Sequence, residues 1–164
     1  MRQTTRQHLV AAALGVALVL SACGGDDGSP AADKASAEEG GVPDPCSLLP
    51  AADLAALLGG DPGKGTPSAY DPDQRRICSY ASGMILAVEV GDHYEQSIDI
   101  IRDEMGDDAV EDVSGVGNAA AWQDSGGGAG QFVASGDDFF VGVTLAAGGQ
   151  EVGQAVAEAM LAAL

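Results

Sequence analysis

Apolar residues recur along this chain with two alternating periods, and the switches between them outline the elements. Pro50 suits the first turn of a helix, where its missing N–H is no loss. Leu54, Leu57 and Leu58 follow at helical spacing, and Gly59-Gly60 ends the run. Asp61 to Asp73 is rich in Pro, Gly and Asp and reads as a loop. The period then changes to two. Arg76 to Tyr80 is β-compatible, and Ser82-Gly83 reads as a turn. Leu86, Val88 and Val90 alternate with Glu89 on the opposite face, which predicts a hairpin.

The period returns to helical after Asp92, a good N-cap with Glu95 three residues on. Tyr94, Ile98, Ile101 and Met105 share one face of that helix, and Gly106 ends it. Three further strands are predicted at Ala119–Gln123, Gly130–Ala134 and Phe139–Leu145. In the last, Phe139, Val141, Val143 and Leu145 fall on one side, after an Asp137-Asp138 turn. A helix from about Gln150 closes the chain, with Val152, Val156, Met160 and Leu164 as its buried stripe. The order is α-β-β-α-β-β-β-α. Short links between neighbouring strands favour antiparallel pairing. The expected fold is therefore α+β: a single antiparallel sheet of about five strands with helices packed on it. Strands followed by a helix occur twice, which suggests two similar halves, though no sequence identity supports a duplication. Aromatic residues make up only 4% of the chain and Gly numbers 24, so the core is built from Val, Ile, Leu and Ala and stability is modest.

The first 22 residues follow a different logic. Arg2 and Arg6 form a positive start, and Leu9 to Leu20 is an uncharged apolar run of 12 residues. A spanning helix needs about 20, so this run fits the core of a signal peptide. Leu20-Ser21-Ala22-Cys23 resembles the lipobox of bacterial lipoproteins. The resemblance implies that a diacylglyceryl transferase modifies Cys23 and that signal peptidase II cuts before it. The mature chain would then be held at the cell membrane by lipid, on the extracytoplasmic face. The competing reading is an ordinary secretory signal cleaved near Ala22. Each buried CH₂ contributes roughly 0.8 kcal/mol, and two acyl chains hold stably where one does not. Residues 24–44 are Gly, Ala, Ser, Asp, Glu and Pro with Lys34, and Val42 is the only larger apolar residue. Such a segment cannot offset its ordering entropy and reads as a tether of roughly 25 Å root-mean-square span. The division is 1–22 signal peptide, 23–44 lipidated Cys and acidic linker, and 45–164 globular domain.

Charge narrows the partners. The net charge is −18, and −20 without the first 22 residues. This charge argues against nucleic acid as a partner, because phosphate binding needs clustered Lys and Arg. A bare anionic membrane surface should repel the body, so the membrane is reached through the lipid on Cys23. The plain reading of the acidity is solubility outside the cell.

Three cysteines occur, Cys23, Cys46 and Cys78. With Cys23 assigned to acylation, the other two form a pair, and an oxidising compartment favours a disulfide between them. It would close a loop of about 33 residues, worth roughly 3.5–4 kcal/mol by chain entropy. Two free thiols or a metal site are the alternatives. Zinc needs further ligands, and His93 is the mature chain's one histidine.

The domain also resembles a family. A cysteine ahead of "SLLPAADLAALLG", a second in "RRICSY", then "VSGVGNAAAW" and an Ala-rich final helix look like the small actinobacterial lipoproteins grouped as domain of unknown function 3558. That resemblance supports the lipid anchor and the Cys46–Cys78 pair. It supplies no activity and no substrate.

Candidate chemistry is sparse. His93 is in principle a general base, but it sits in a first helical turn, where an exposed polar residue is ordinary. No serine lies in a G-x-S-x-G elbow, and Gly126-Gly127-Gly128 lacks the Lys and helix of a phosphate loop. Asp71 and Asp73 are followed by Gln74-Arg75-Arg76 instead of calcium-loop ligands, and Asp107-Asp108 and Asp137-Asp138 read as solvated turns. Ser114-Gly115-Val116-Gly117-Asn118 is the most distinctive loop, with glycines that permit positive φ or close approach. Trp122 is either core or part of a concave ligand surface. Arg75 and Arg76 either pair with local acids or present an anion or partner contact. The expectation is a non-catalytic binding or interaction module without metal or cofactor, for an unidentified protein or small molecule. A sensory or regulatory accessory subunit of a membrane protein is the alternative, and an enzyme comes third.

Overall fold

The computed structural model describes residues 41–164. The expected signal peptide, the expected acylation site Cys23 and the expected linker as far as residue 40 lie outside the described residues. The chain enters through Val42, which is 1% exposed and packed into the core. The packed body thus includes Val42, three residues before Pro45: the one larger apolar side chain of the segment read as a linker is part of the core.

Two short helices follow, α1 (Pro45–Leu48) and α2 (Ala51–Leu58). Asp44 caps the first, its Oδ1 accepting from the Cys46 amide at 2.9 Å. Pro50 precedes the second, and Gly59 in the left-handed region ends it. Three strands come next: β1 (Thr66–Asp71), β2 (Arg75–Ser79) and β3 (Ile85–Val90). The long helix α3 (Tyr94–Met105) and a 3₁₀ turn at Asp107–Ala109 lead to four more strands. These are β4 (Val110–Val113), β5 (Ala119–Gly126), β6 (Ala129–Ser135) and β7 (Phe139–Leu145). Helix α4 (Gly149–Ala163) completes the chain.

The architecture is α+β with a single antiparallel sheet, but the described residues form seven strands and four helices where about five strands were expected. The sheet order is β1-β2-β3-β7-β6-β5-β4. Two meanders, β1 to β3 and β4 to β7, therefore meet where β3 pairs with β7. Both unforeseen strands, β1 and β4, are edges. Edge strands tolerate proline and charge because one row of their backbone groups needs no partner. Pro67 in β1 and Glu111-Asp112 in β4 are residues of that kind.

The sheet has two unequal faces. Alternation puts Cys78, Leu86, Val88, Ala120, Trp122, Phe132, Ala134, Val141, Val143 and Leu145 on one face, under Leu54 of α2 and Val156, Ala157 and Met160 of α4. That face holds the main core. The other carries a smaller cluster, in which Tyr94 and Ile98 of α3 cover Ala121, Val133 and Phe140. Register gives the rest of this second face row by row. One row reads Ser68, Ile77, Ala87, Gly142, Val133, Ala121, Asp112, and its neighbour reads Thr66, Ser79, Ile85, Thr144, Gln131, Gln123, Val110. Helix α3 packs over β4, β5 and β6. The half formed by β1, β2, β3 and the neighbouring part of β7 lies beyond it, and Ile85 there is 39% exposed.

A disulfide joins Cys46 of α1 to Cys78 of β2, with Cα atoms 5.1 Å apart. It ties the first helix to the sheet across the 61–73 segment. Gly65 lies against it: a Cβ there would stand 2.6 Å from Cys78 Sγ and 3.2 Å from Cys46 Sγ. Helix α3 starts one residue later than its sequence signal. His93 holds the cap position, and Asp92 Oδ1 accepts from the Tyr94 amide at 3.1 Å. No helix among the described residues is long and apolar enough to cross a membrane.

Candidate functional site: a cleft at the end of the last helix

A cleft of about 590 Å³ lies between the C-terminal turns of α4, the 114–118 loop and the β6–β7 turn. Its size falls within the range of small-molecule sites. The loop approaches closely because Gly117, at φ 54°, has no side chain: a Cβ there would collide with the Ser135 carbonyl. Asn118 then donates its amide to that carbonyl at 2.7 Å. Across the cleft, the Gly136 amide donates to Phe139 O at 2.7 Å, and the Gly91 amide donates to Asp138 O at 2.8 Å. Both loops are therefore held by backbone bonds.

Leu161 of α4 sits between the two. Cβ atoms built on Gly117 and on Gly136 would each stand 3.1 Å from its methyl groups. Val116, Phe139 and Leu161 give the cleft an apolar base, with Val116 buried in the main core. Asp137, Asp138 and Glu158 line its mouth. Asn118 Nδ2 donates to Asp137 Oδ1 at 3.2 Å, and Gln154 Nε2 donates to Glu158 Oε1 at 2.9 Å. The lining holds three acidic side chains and no Lys or Arg. An apolar floor under a negative mouth suits a compact ligand with a cationic group, which Phe139 can also meet through its ring.

The distinctive Ser114–Asn118 loop is part of this site; the other residues singled out in the sequence lie elsewhere. Trp122 is 5% exposed and belongs to the core. It lies beneath α4, so it offers no surface to a ligand. Arg75 and Arg76, being adjacent on β2, project to opposite faces. Arg75 sits directly across from Glu89 and pairs with it, Nε to Oε1 at 3.1 Å. Arg76 lines a shallower depression of about 270 Å³ with Asp44, Pro67, Ser68 and Pro72. These three residues do not converge. His93 Nε2 is 2.9 Å from the Val90 carbonyl, a local contact beside the helix start. Among the described residues no three His, Cys, Asp or Glu side chains are grouped to hold a metal ion.

Sequence reasoning missed Glu158 and Leu161, which read as ordinary positions of an Ala-rich helix. It took Asp137 and Asp138 for a solvated turn. Only the docking of the glycine loop against Ser135 brings them to one place. Compared with family profiles, with curated proteins and with solved structures, the chain finds no match.

Proposed function

We propose that this chain is a lipid-anchored extracytoplasmic binding module, of the actinobacterial lipoprotein family it resembles, which holds a ligand without transforming it. The observation that carries the binding role is the cleft of about 590 Å³ with an apolar base and an acidic mouth. The address rests on the lipobox at Leu20 to Cys23 and agrees with the Cys46–Cys78 disulfide, since such bonds persist in oxidising compartments. In this reading Cys23 holds the body at the membrane, and the acidic tether lets the cleft sample its surroundings.

Two variants test the two halves of the proposal. Cys23→Ser releases the protein from the membrane fraction; unchanged membrane association contradicts the anchor. Glu158→Lys places a cation in the cleft mouth and removes any small molecule that native mass spectrometry finds retained on the parent protein. Retention of the same ligand by that variant contradicts the cleft as its site.

A second reading, a regulatory accessory subunit of a membrane protein, is favoured by the half of the second sheet face that α3 leaves uncovered. In that case the partner is a protein and the contact is the sheet.

A further inference from the structure

We infer that the cleft takes a linear aliphatic diamine or polyamine, with an ammonium group against each of two acidic walls and the alkyl chain along the apolar base between them. This rests on the cleft being the binding site and adds the chemistry of its ligand.

The two walls come from different elements. Asp137 and Asp138 line the cleft from the β6–β7 turn, and Glu158 lines it from α4. Leu161 stands between them. It follows Glu158 by three residues, so both project from one side of α4, roughly 4.5 Å apart along the helix axis. The far end of Leu161 reaches the β6–β7 turn, where a Cβ on Gly136 would stand 3.1 Å from its Cδ2. Phe139 and Val116 continue the apolar surface. The order across the cleft is acid, apolar base, acid.

The walls keep their charge. Residues 41–164 contain Lys64, Arg75, Arg76 and Arg102 as their Lys and Arg, and none of the four lines the cleft. Arg75 is held by Glu89, and Arg102 by Asp112. Asp137 and Glu158 accept from the neutral amides of Asn118 and Gln154, which orient the carboxylates without neutralising them.

This order selects the ligand. A hard metal ion gathers its oxygen ligands around one point. Among the described residues no three His, Cys, Asp or Glu side chains are grouped in that way. Here an apolar side chain parts the acids, so a ligand whose positive charges are parted by methylenes matches them. Its alkyl chain removes apolar surface of Leu161 and Phe139 from water. The volume of about 590 Å³ exceeds that of a short diamine and admits the longer polyamines of the same class.

The test uses the full chain carrying Cys23→Ser, which removes the acyl acceptor. It is titrated with hexamethylenediamine, hexylamine and hexanediol, which share one alkyl length and differ in their number of ammonium groups. NMR amide shifts give both affinity and location. The expected shifts centre on residues 114–118, 136–139 and the last turns of α4. The diamine should bind at least about fivefold more tightly than the monoamine, the factor that one further exposed ion pair can supply. Glu158→Gln should reduce that advantage to less than about twofold, whereas Asp103→Asn, at an exposed position of α3 outside the cleft, should leave it intact. Circular dichroism checks that the variants are folded; if Glu158→Gln unfolds, Asp137→Asn with Asp138→Asn, which neutralises the opposite wall, is read in its place. Equal affinity of diamine and monoamine at the cleft would overturn the inference and leave the cleft as a binding site. Equal loss in Glu158→Gln and Asp103→Asn would reduce the effect to attraction by a negative body and overturn it too. So would calcium chloride shifting the same amides at lower concentration than the diamine. Shifts outside the cleft, or none, also overturn it, and the ligand retained in native mass spectrometry then decides separately on the cleft.

Discussion

The indole of Trp122 lies in space that Gly153 leaves open, so that a Cβ on Gly153 would stand 3.3 Å from Cζ3 of the ring and 2.9 Å from Phe132 Cβ. Gly130 of β6 flanks the same indole, and a Cβ there would collide with Cη2 and Cζ2. One large aromatic residue thus replaces two missing side chains, and α4 settles closely on the sheet. Gly153→Val should lift the helix or distort the ring. Greater helical preference returns at most about 1 kcal/mol, and overpacking costs typically 1–3 kcal/mol. The expected result is a lower urea midpoint with red-shifted or heterogeneous Trp122 fluorescence. An unchanged midpoint would show that the packing is looser than this contact implies.

The Cys46–Cys78 bond should account for a large share of stability. Closing this loop is worth about 3.5–4 kcal/mol by chain entropy, against a total of about 5–15 kcal/mol for an ordinary domain. Reduction, or the double change Cys46→Ser with Cys78→Ser, should lower the unfolding free energy by about that amount. Gly65→Val should impair the bond without touching either cysteine, since its side chain would press on both sulfurs. Full oxidation and parental stability in Gly65→Val would contradict that geometry.

Alkaline pH should weaken the attachment of α3. The Tyr94 hydroxyl donates to Ala120 O at 3.0 Å and stands 3.4 Å from Asp112 Oδ1. Burial first, then the Asp112 charge and hydrogen bond, raise its pKa above the ordinary 10.0. Below pH 10 the hydroxyl keeps its proton in both states, so its contribution is fully present. As pH climbs past 10.0, the unfolded chain ionises while the folded one does not, and stability falls until the folded value is passed. Tyr80, raised by burial and then by Asp44, adds a loss in the same direction. Tyr94→Phe should cost about 1 kcal/mol at neutral pH and flatten the decline between pH 9 and pH 11. Parallel declines in parent and variant would assign the effect to other groups.

Loop docking at the cleft should depend on Gly117. Its positive φ and its approach to Ser135 O exclude a side chain. Gly117→Val should free the 114–118 loop, seen as faster amide exchange at Asn118, with a stability loss of about 1–3 kcal/mol. Unchanged exchange would mean that the loop is held from elsewhere.

The central elements were legible because their patterns are local. Leu86, Val88 and Val90 alternate, as do Val141, Val143 and Leu145, and the helical stripe of Tyr94 and Ile98 is equally clear. The two edge strands were not, and for one reason: Pro67 and Glu111-Asp112 read as loop residues because an edge does not need the full apolar pattern. Helix α1 was hidden by its four-residue length. Burial of Val42 was invisible because its neighbours in sequence are small and acidic. In the cleft, the glycine loop announced itself, whereas Glu158 and Leu161 acquire meaning only through the fold. Trp122 is a reminder that a lone tryptophan in a glycine-rich chain often completes the core that glycines leave unfilled.

The central claim, a lipid-anchored binding module, is tested most directly by one mass measurement on the chain extracted from membranes of an exporting host, recorded first native and then denatured. The expected denatured mass is that of a chain beginning at Cys23 with covalent acyl groups, and the expected native mass is higher by a ligand that denaturation releases. An unacylated chain, with the same mass in both spectra, would contradict both the anchor and the bound ligand.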